Sequence, residues 1–361
     1  MHIISDFPGQ KQKYYSITNI DSVGKITELD IVHRYDSFDP QLLQQIYSQR
    51  GYPGATLNDH YITVDYNEFG SGIYTVPAWA ADEARRYNIT DCNQETTTEY
   101  SAFICSNNIR VNRYLALKFA EWFKINYEYT WSGSGASFDC AEIIQELEAS
   151  DWESWMPTKA RSFLLAPIQL QPRWIKSGSE KPKADQPGYR IEFDPELDNY
   201  HTNSHIWRNA TRIPHSHAAV TLITEPIKHQ RAAIFTEKTV HCILAANFPI
   251  WIGGYQQARA MAKIGFDTFN DIVDHSYQDL PTLVERCWAA FERNRRLLSD
   301  VEYGRQLRQQ CRLRLQNNQQ LLLSGLIDQY CVKEINSWPE PVRQAARVLF
   351  AHVYGLPLHA T

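Results

Sequence analysis

The alternation of apolar and polar positions is most regular between residues 100 and 131. After Tyr100, the run Ser101 to Cys105 reads as a short buried strand, and Ser106 to Asn112 as a polar loop. Arg113 to Lys124 then places Leu115, Leu117, Phe119, Trp122 and Phe123 on an amphipathic helix, and Tyr127 to Trp131 reads as a second strand. Strand, loop, helix and strand within about thirty residues are the signature of a parallel sheet with crossover helices. The same alternation returns downstream. Ala218 to Thr224 predicts a strand, Thr236 to Ala246 a helix, Phe248 to Gly253 a strand, and Tyr255 to Ile264 a helix stopped by Gly265.

Outside these stretches the pattern is weaker. Ile26 to Val32 and Tyr61 to Tyr66 predict short strands, with turn residues over Asn67 to Gly72, and Asp39 to Gln49 predicts a short helix. Thr90 to Thr98 holds almost nothing that can be buried and marks a boundary. Ser177 to Pro187, rich in Gly, Pro, Ser and charge, predicts an exposed loop. Leu280 to Leu298 and Glu302 to Leu323 predict long helices rich in Arg and Gln, and no repeat of fixed period is present. The expected division is an N-terminal α/β domain over 1–100, a second α/β domain over 101–300, and a helical segment over 301–361.

Composition narrows the class. A chain of 361 residues exceeds what one hydrophobic core usually supports. With 10 Trp, 20 Tyr and 15 Phe against ordinary Gly, Pro and Cys, it is neither disordered, collagenous nor a small disulfide scaffold. The net charge of −5 supplies no broad basic field for nucleic acid, so any phosphate recognition must rest on a few placed cations. Seven scattered cysteines without a CxxC pair predict reduced thiols. The opening MHIISDFPGQKQKYYS does not read as a signal peptide, and no apolar run reaches bilayer length; a cytoplasmic protein is the expectation.

The chemistry concentrates around residue 237. Thr221 to Glu225 reads as a buried strand ending in a carboxylate, followed by a loop carrying Lys228, His229 and Arg231, and then by a helix beginning near Thr236. A helix start offers unpaired N–H groups and positive potential to an anion, and Lys238 in its first turn adds a cation suited to a diphosphate. Glu237 beside it can accept two hydrogen bonds from the vicinal hydroxyls of a ribose. The plainer alternative for Thr236, Glu237 and Lys238 is an N-cap with a solvated ion pair. Gly253 and Gly254 fit either a close ligand approach or a tight turn.

The segments FTEKTVHCILAANFPIWIGG and AKIGFDTFNDIVDHSYQDL resemble the C-terminal half of a group of bacterial and phage glycosyltransferases. More distantly they are similar to the alpha-1,3-fucosyltransferases. The resemblance covers 218–300 and, loosely, 103–131. It implies two Rossmann-like domains facing a cleft, the glycosyltransferase-B architecture, with C-terminal helices. It also implies that Glu237 holds the donor ribose, that Lys238 holds the phosphates, and that Glu225 stands where the family carries a preceding Glu, at longer spacing here. Ser106 to Arg113 resembles the families' Asn-and-Arg loop, which makes Arg113, then Arg110, the diphosphate clamp. His241, where relatives carry a bulkier cation, is expected to pack.

The implied activity moves a sugar from a UDP- or GDP-linked donor, a co-substrate with no resident cofactor, to the hydroxyl of a glycan or lipid-linked saccharide. A hydroxymethylated DNA base is a further acceptor class if the chain is viral. Lys238, Arg113 and Arg231 suffice to stabilise a departing diphosphate without a metal, and the Asp-x-Asp of manganese-dependent transferases is absent from the sequence. Asp65 and Asp139 are the candidates for the base that deprotonates the acceptor. His201, His205, His215 and His217 are read as loop histidines in preference to metal ligands, and Trp152, Trp155, Trp174 and Trp207 as mostly core. Hydrolase, NTPase and dinucleotide motifs are missing from the sequence. The competing reading is an inactive module that binds a nucleotide-sugar or a glycan.

Overall fold

The computed structural model describes residues 2–6, 15–16, 31–34, 61–63, 73–92, 98–106, 110–131, 140–166, 215–225, 233, 235–340, 343 and 346–347. Among them are two sheets. The first has five short strands, β1 (His2–Asp6), β2 (Tyr15–Ser16), β3 (Ile31–Arg34), β4 (Tyr61–Thr63) and β5 (Ile73–Thr75). Their order is β2-β1-β3-β4-β5, parallel except for β2. The predicted helix over 39–49 lies outside the described residues, as does the loop over 177–187.

The second sheet positions the site. It comprises β6 (Tyr100–Ser106), β7 (Tyr127–Trp131), β8 (Ala218–Ile223) and β9 (Phe248–Trp251), all parallel in the order β7-β6-β8-β9. Pairing runs from Ala102↔Tyr127 to Ser106↔Trp131 on one side of β6 and from Tyr100↔Ala218 to Ile104↔Leu222 on the other. The chain thus leaves β6 in one direction and returns on its opposite side. Such a reversal opens a crevice beyond the carboxyl ends of the two strands, here after Ser106 and Ile223.

Both faces of this sheet are covered, which is why its strands read as continuous apolar runs. Val220, Leu222, Phe248 and Ile250 share a core with α2 (Val111–Trp122) and α7 (Leu283–Arg293), where Phe119 meets Trp288 and Phe123 stacks on Phe291. α3 (Ala141–Glu148) and α4 (Thr158–Leu165) add Ile143, Leu147, Ala160 and Leu164 to it. Ile223 and Trp251 point into a second core built by α1 (Ala78–Ala84), α5 (Glu237–Leu244) and α6 (Gln257–Ile264). The left-handed Gly265, at φ 119°, ends α6 as predicted.

Residues 76–92 contribute to this second core together with α5 and the C-terminal helices. The long helix expected over 280–298 breaks at Asn294, whose side chain bonds the main chain of Asp274 and Ala290 before α8 (Arg295–Ser299) begins. The stretch expected over 302–323 is divided into α9 (Val301–Gln310) and α10 (Arg312–Leu323), and α11 (Leu326–Ser337) packs on α1.

Arg308 of α9 is the clamp between these helices and the sheet. It is 4% exposed and donates to the carbonyls of Ser216, Ala218, Ala245 and Ala246 at 2.7 to 3.2 Å. Burial pushes its guanidinium down to about 10. Arg308→Met would strand those four carbonyls, and it is expected to lower unfolding free energy by about 3 kcal/mol, measured as the urea midpoint.

Candidate functional site

Two helix starts converge on one residue at the crevice. Glu225 follows β8 and is fully buried. Its carbonyl accepts from Asn112 Nδ2 at 2.8 Å, and Arg113 Nε reaches the neighbouring Thr224 carbonyl at 3.3 Å, tying down the first turn of α2. Its carboxylate accepts from Thr236 N at 3.0 Å, from Thr236 Oγ1, and from Thr239 Oγ1 at 2.7 Å, tying down α5. Thr239 Oγ1 in turn accepts from Trp251 Nε1 at 3.1 Å, which brings the end of β9 into the same network. Burial pushes the Glu225 carboxyl above its ordinary range, opposed by Lys238 and the Thr236 donors. Of the sequence-predicted donor residues, Glu225 therefore acts by holding the site together.

Glu237 and Lys238 emerge from that support. Thr236 caps α5 by accepting from Lys238 N at 3.4 Å. Lys238, only 6% exposed, pairs through Nζ with Glu237 Oε1 at 2.5 Å. The other carboxylate oxygen, Oε2, is buried without a hydrogen-bond partner on a side chain that is 20% exposed. Burial raises the Glu237 pKa, but the Lys238 ammonium, its hydrogen bond and His241 outweigh that effect and hold it at about 2. The solvated ion pair envisaged as the plain alternative does not match these burial values.

Behind Glu237 lies a polar cluster that sequence reasoning missed. Tyr87 Oη donates to Glu83 Oε1 at 2.6 Å, so its remaining capacity accepts from His241 Nε2 at 2.8 Å. Glu83, Tyr87 and His241 are all buried, and burial followed by Glu83 pushes the Tyr87 hydroxyl far above its ordinary value. His241 thus packs, as expected, and does so through a specific bond to Tyr87, just beyond α1. Glu83 lies in α1, whose buried residues are mainly alanines, and Tyr87 stands three residues beyond its end, so no helical stripe marks the pair. Asn112, within the run Ser106 to Arg113, carries no local signal of its own, because its partners are the distant carbonyls of Glu225 and Ile252.

The remaining predicted residues divide clearly. Arg110 stands half-buried at the N-cap of α2, beside the crevice, and Arg113 is 5% exposed with its guanidinium on main chain. Asp65, Asp139 and Arg231 lie outside the described residues, with His201, His205, Trp174 and Trp207. His215 is fully buried beside Thr221 and Phe103, and His217 pairs with Glu99. Trp152 and Trp155 pack partly buried against the first core.

Gly253 adopts φ 75°, and a Cβ there would lie 2.3 Å from Leu283 Cδ1 and 3.4 Å from Asn112 Cβ. The close approach it permits is that of α7 and α2. Among the described residues no group of three or more His, Cys, Asp or Glu is placed to hold a metal ion, and no helix is long and apolar enough to cross a membrane. No protein-family model matches the chain, and neither a curated protein nor a solved structure matches it.

Two outcomes follow from this geometry. Glu225→Ala, which removes the shared acceptor of the buried Thr236 and Thr239, is expected to cost about 2 to 3 kcal/mol by chemical denaturation. Because folded Glu237 titrates at about 2 against an ordinary 4.5, its contribution to stability is complete above pH 4.5 and is lost as pH falls toward 2. Glu237→Gln should flatten the stability profile in that window while leaving the slope above pH 5 unchanged.

Proposed function

We propose that the protein is a glycosyltransferase of the two-domain glycosyltransferase-B type that uses a nucleotide-activated sugar. The observation that carries this reading is the Glu237–Lys238 pair, set at the carboxyl edge of a parallel sheet by the buried Glu225. An unpartnered buried carboxylate oxygen suits a donated ribose hydroxyl. An adjacent ammonium and the start of α5 suit the diphosphate, with Arg110 and Arg113 at the start of α2 on the other side of the crevice.

In the proposed reaction the bond between the anomeric carbon and the diphosphate oxygen breaks, and the leaving nucleoside diphosphate carries the charge that Lys238 and the arginines stabilise. The acceptor oxygen forms the new glycosidic bond, and its proton passes to a carboxylate, for which Asp65 and Asp139 remain the candidates. Cations and helix ends replace a divalent metal in this scheme, with a UDP- or GDP-sugar as co-substrate. A saccharide is the proposed acceptor, with a modified DNA base the alternative, and the cytoplasm the proposed compartment.

The test is release of nucleotide from a panel of UDP- and GDP-sugars in the presence of saccharide acceptors. Glu237→Ala and Lys238→Ala are each expected to reduce turnover at least about tenfold, the loss of one charge-assisted contact. Full activity in both variants would remove this donor site. Thermal stabilisation by a nucleoside diphosphate, with no turnover on any acceptor, would instead identify a binding module.

A further inference from the structure

A cavity of about 620 Å³ opens between α6 and the segment 270–279, outside the crevice described above. Its size falls within the range of small-ligand pockets, roughly 300 to 1,000 Å³. Ala258, Ala262, Ile272 and Val273 give it apolar wall, and charged and amide side chains surround them. Three carboxylates line it, and they are not equivalent. Asp271 is occupied, with both oxygens accepting from Arg314 at 2.8 Å. Asp274 commits Oδ1 to the backbone and hydroxyl of Ser276, which leaves Oδ2, and Asp279 makes only a long 3.4 Å contact with Gln256.

The positive side of the lining is equally uncommitted. Arg259 is exposed on α6, and no ion pair joins it to Asp274 or Asp279 although all three line the same cavity. His275 supplies a further acceptor. Its Nε2 faces the Thr268 carbonyl at 3.0 Å and must donate there, so Nδ1 carries a lone pair, and that atom is buried without a partner. Burial pushes the ring down to about 4, which keeps it neutral.

This inventory decides the ligand class. Acceptors dominate, so the ligand must donate several hydrogen bonds. Asp274 Oδ2 and the Asp279 carboxylate face the cavity with oxygens to spare, and the nearby Arg259 and the Arg293 bound to Ser276 balance their charge, so a neutral occupant suits the lining better than a phosphate. Among the described residues there is no convergence of metal ligands, which disfavours a bare divalent cation. Carboxylates that accept from neighbouring hydroxyls, an arginine donor in the same lining, and small apolar wall for ring carbons together match a neutral sugar. The cavity is joined to the proposed donor site through packing: the His275 ring lies 5.6 Å from that of Trp251, whose Nε1 supports Thr239 and through it Glu225.

We propose that the cavity between α6 and residues 270–279 binds a neutral saccharide through the vicinal hydroxyls of its ring. The site does not require the nucleotide reading, because none of its lining residues belongs to the Glu237–Lys238 pair.

The experiment titrates the full chain with methyl glycosides of common hexoses and with disaccharides, following amide chemical shifts. Expected are millimolar affinities and perturbations confined to Arg259 and to 270–279. Arg259→Ala and Asp279→Ala, both at exposed positions, should each weaken binding about fivefold, the loss of one hydrogen bond, while nucleotide-dependent behaviour is retained. Glu237→Ala should leave saccharide binding intact, which separates the failure of one site from that of the other. The proposal is overturned if no saccharide shifts these amides, if the two variants bind as well as the parent chain, or if calcium or spermidine produces the shifts and sugars do not.

Discussion

A carboxylate cannot be left dry and unpartnered, and that constraint at Glu225 organises the whole carboxyl edge of the second sheet. The residue sits where β8 runs out of ladder and is fully buried. Three donors from Thr236 and Thr239 meet the demand, and they fix where α5 can begin. Its carbonyl fixes α2 through Asn112. The helix starts that carry Arg110, Arg113, Glu237 and Lys238 are thus positioned by one residue, through its carboxylate on one side and its main-chain carbonyl on the other. A strongly polar residue at a predicted site can be the frame of that site.

The elements that were legible in the sequence share a physical cause. β7 was read to the residue over Tyr127–Trp131, and β8, β9 and α6 within a few positions, because large apolar side chains recur there at a clean period and end at Gly or polar turns. α1, α3, α4 and α11 were not read. α1 buries alanines such as Ala78 and Ala81, α3 and α4 bury only two residues each, too few to mark a period, and the buried face of α11 is interleaved with charge. The site divides in the same way. Glu237 and Lys238 stood out because a charged pair at a helix start is a local pattern. Asn112, Tyr87 and Glu83 matter only through partners at separations of 113 and 154 residues, or within a helix without a visible stripe, and no local window reports that.

The two cores also explain how a chain with modest apolar periodicity folds so much of its length together. Buried polar residues recur at the joints between elements, and they are served by side chains from other segments. Asn247 reaches His215 and Thr221, Asn318 reaches Asp267, and Arg286 reaches Gly253, Leu280 and Pro281. Each such bond is worth little net but costly to leave unmade, so together they specify one arrangement over others of similar apolar burial.

Arg308 has one effect that its packing role conceals. Ala245 and Ala246, two of the carbonyls it binds, close α5 at the end opposite Glu237 and Lys238. A helix of eight residues is only about 12 Å long, and its two poles normally offset one another at any nearby point. Here the negative pole is met by a buried guanidinium that donates to both carbonyls. The positive pole is met in the same way, by the Glu225 carboxylate that accepts from Thr236 N. The short helix is therefore tied at each end to another element by a charged side chain, and it cannot slide along its own axis without breaking bonds at both poles.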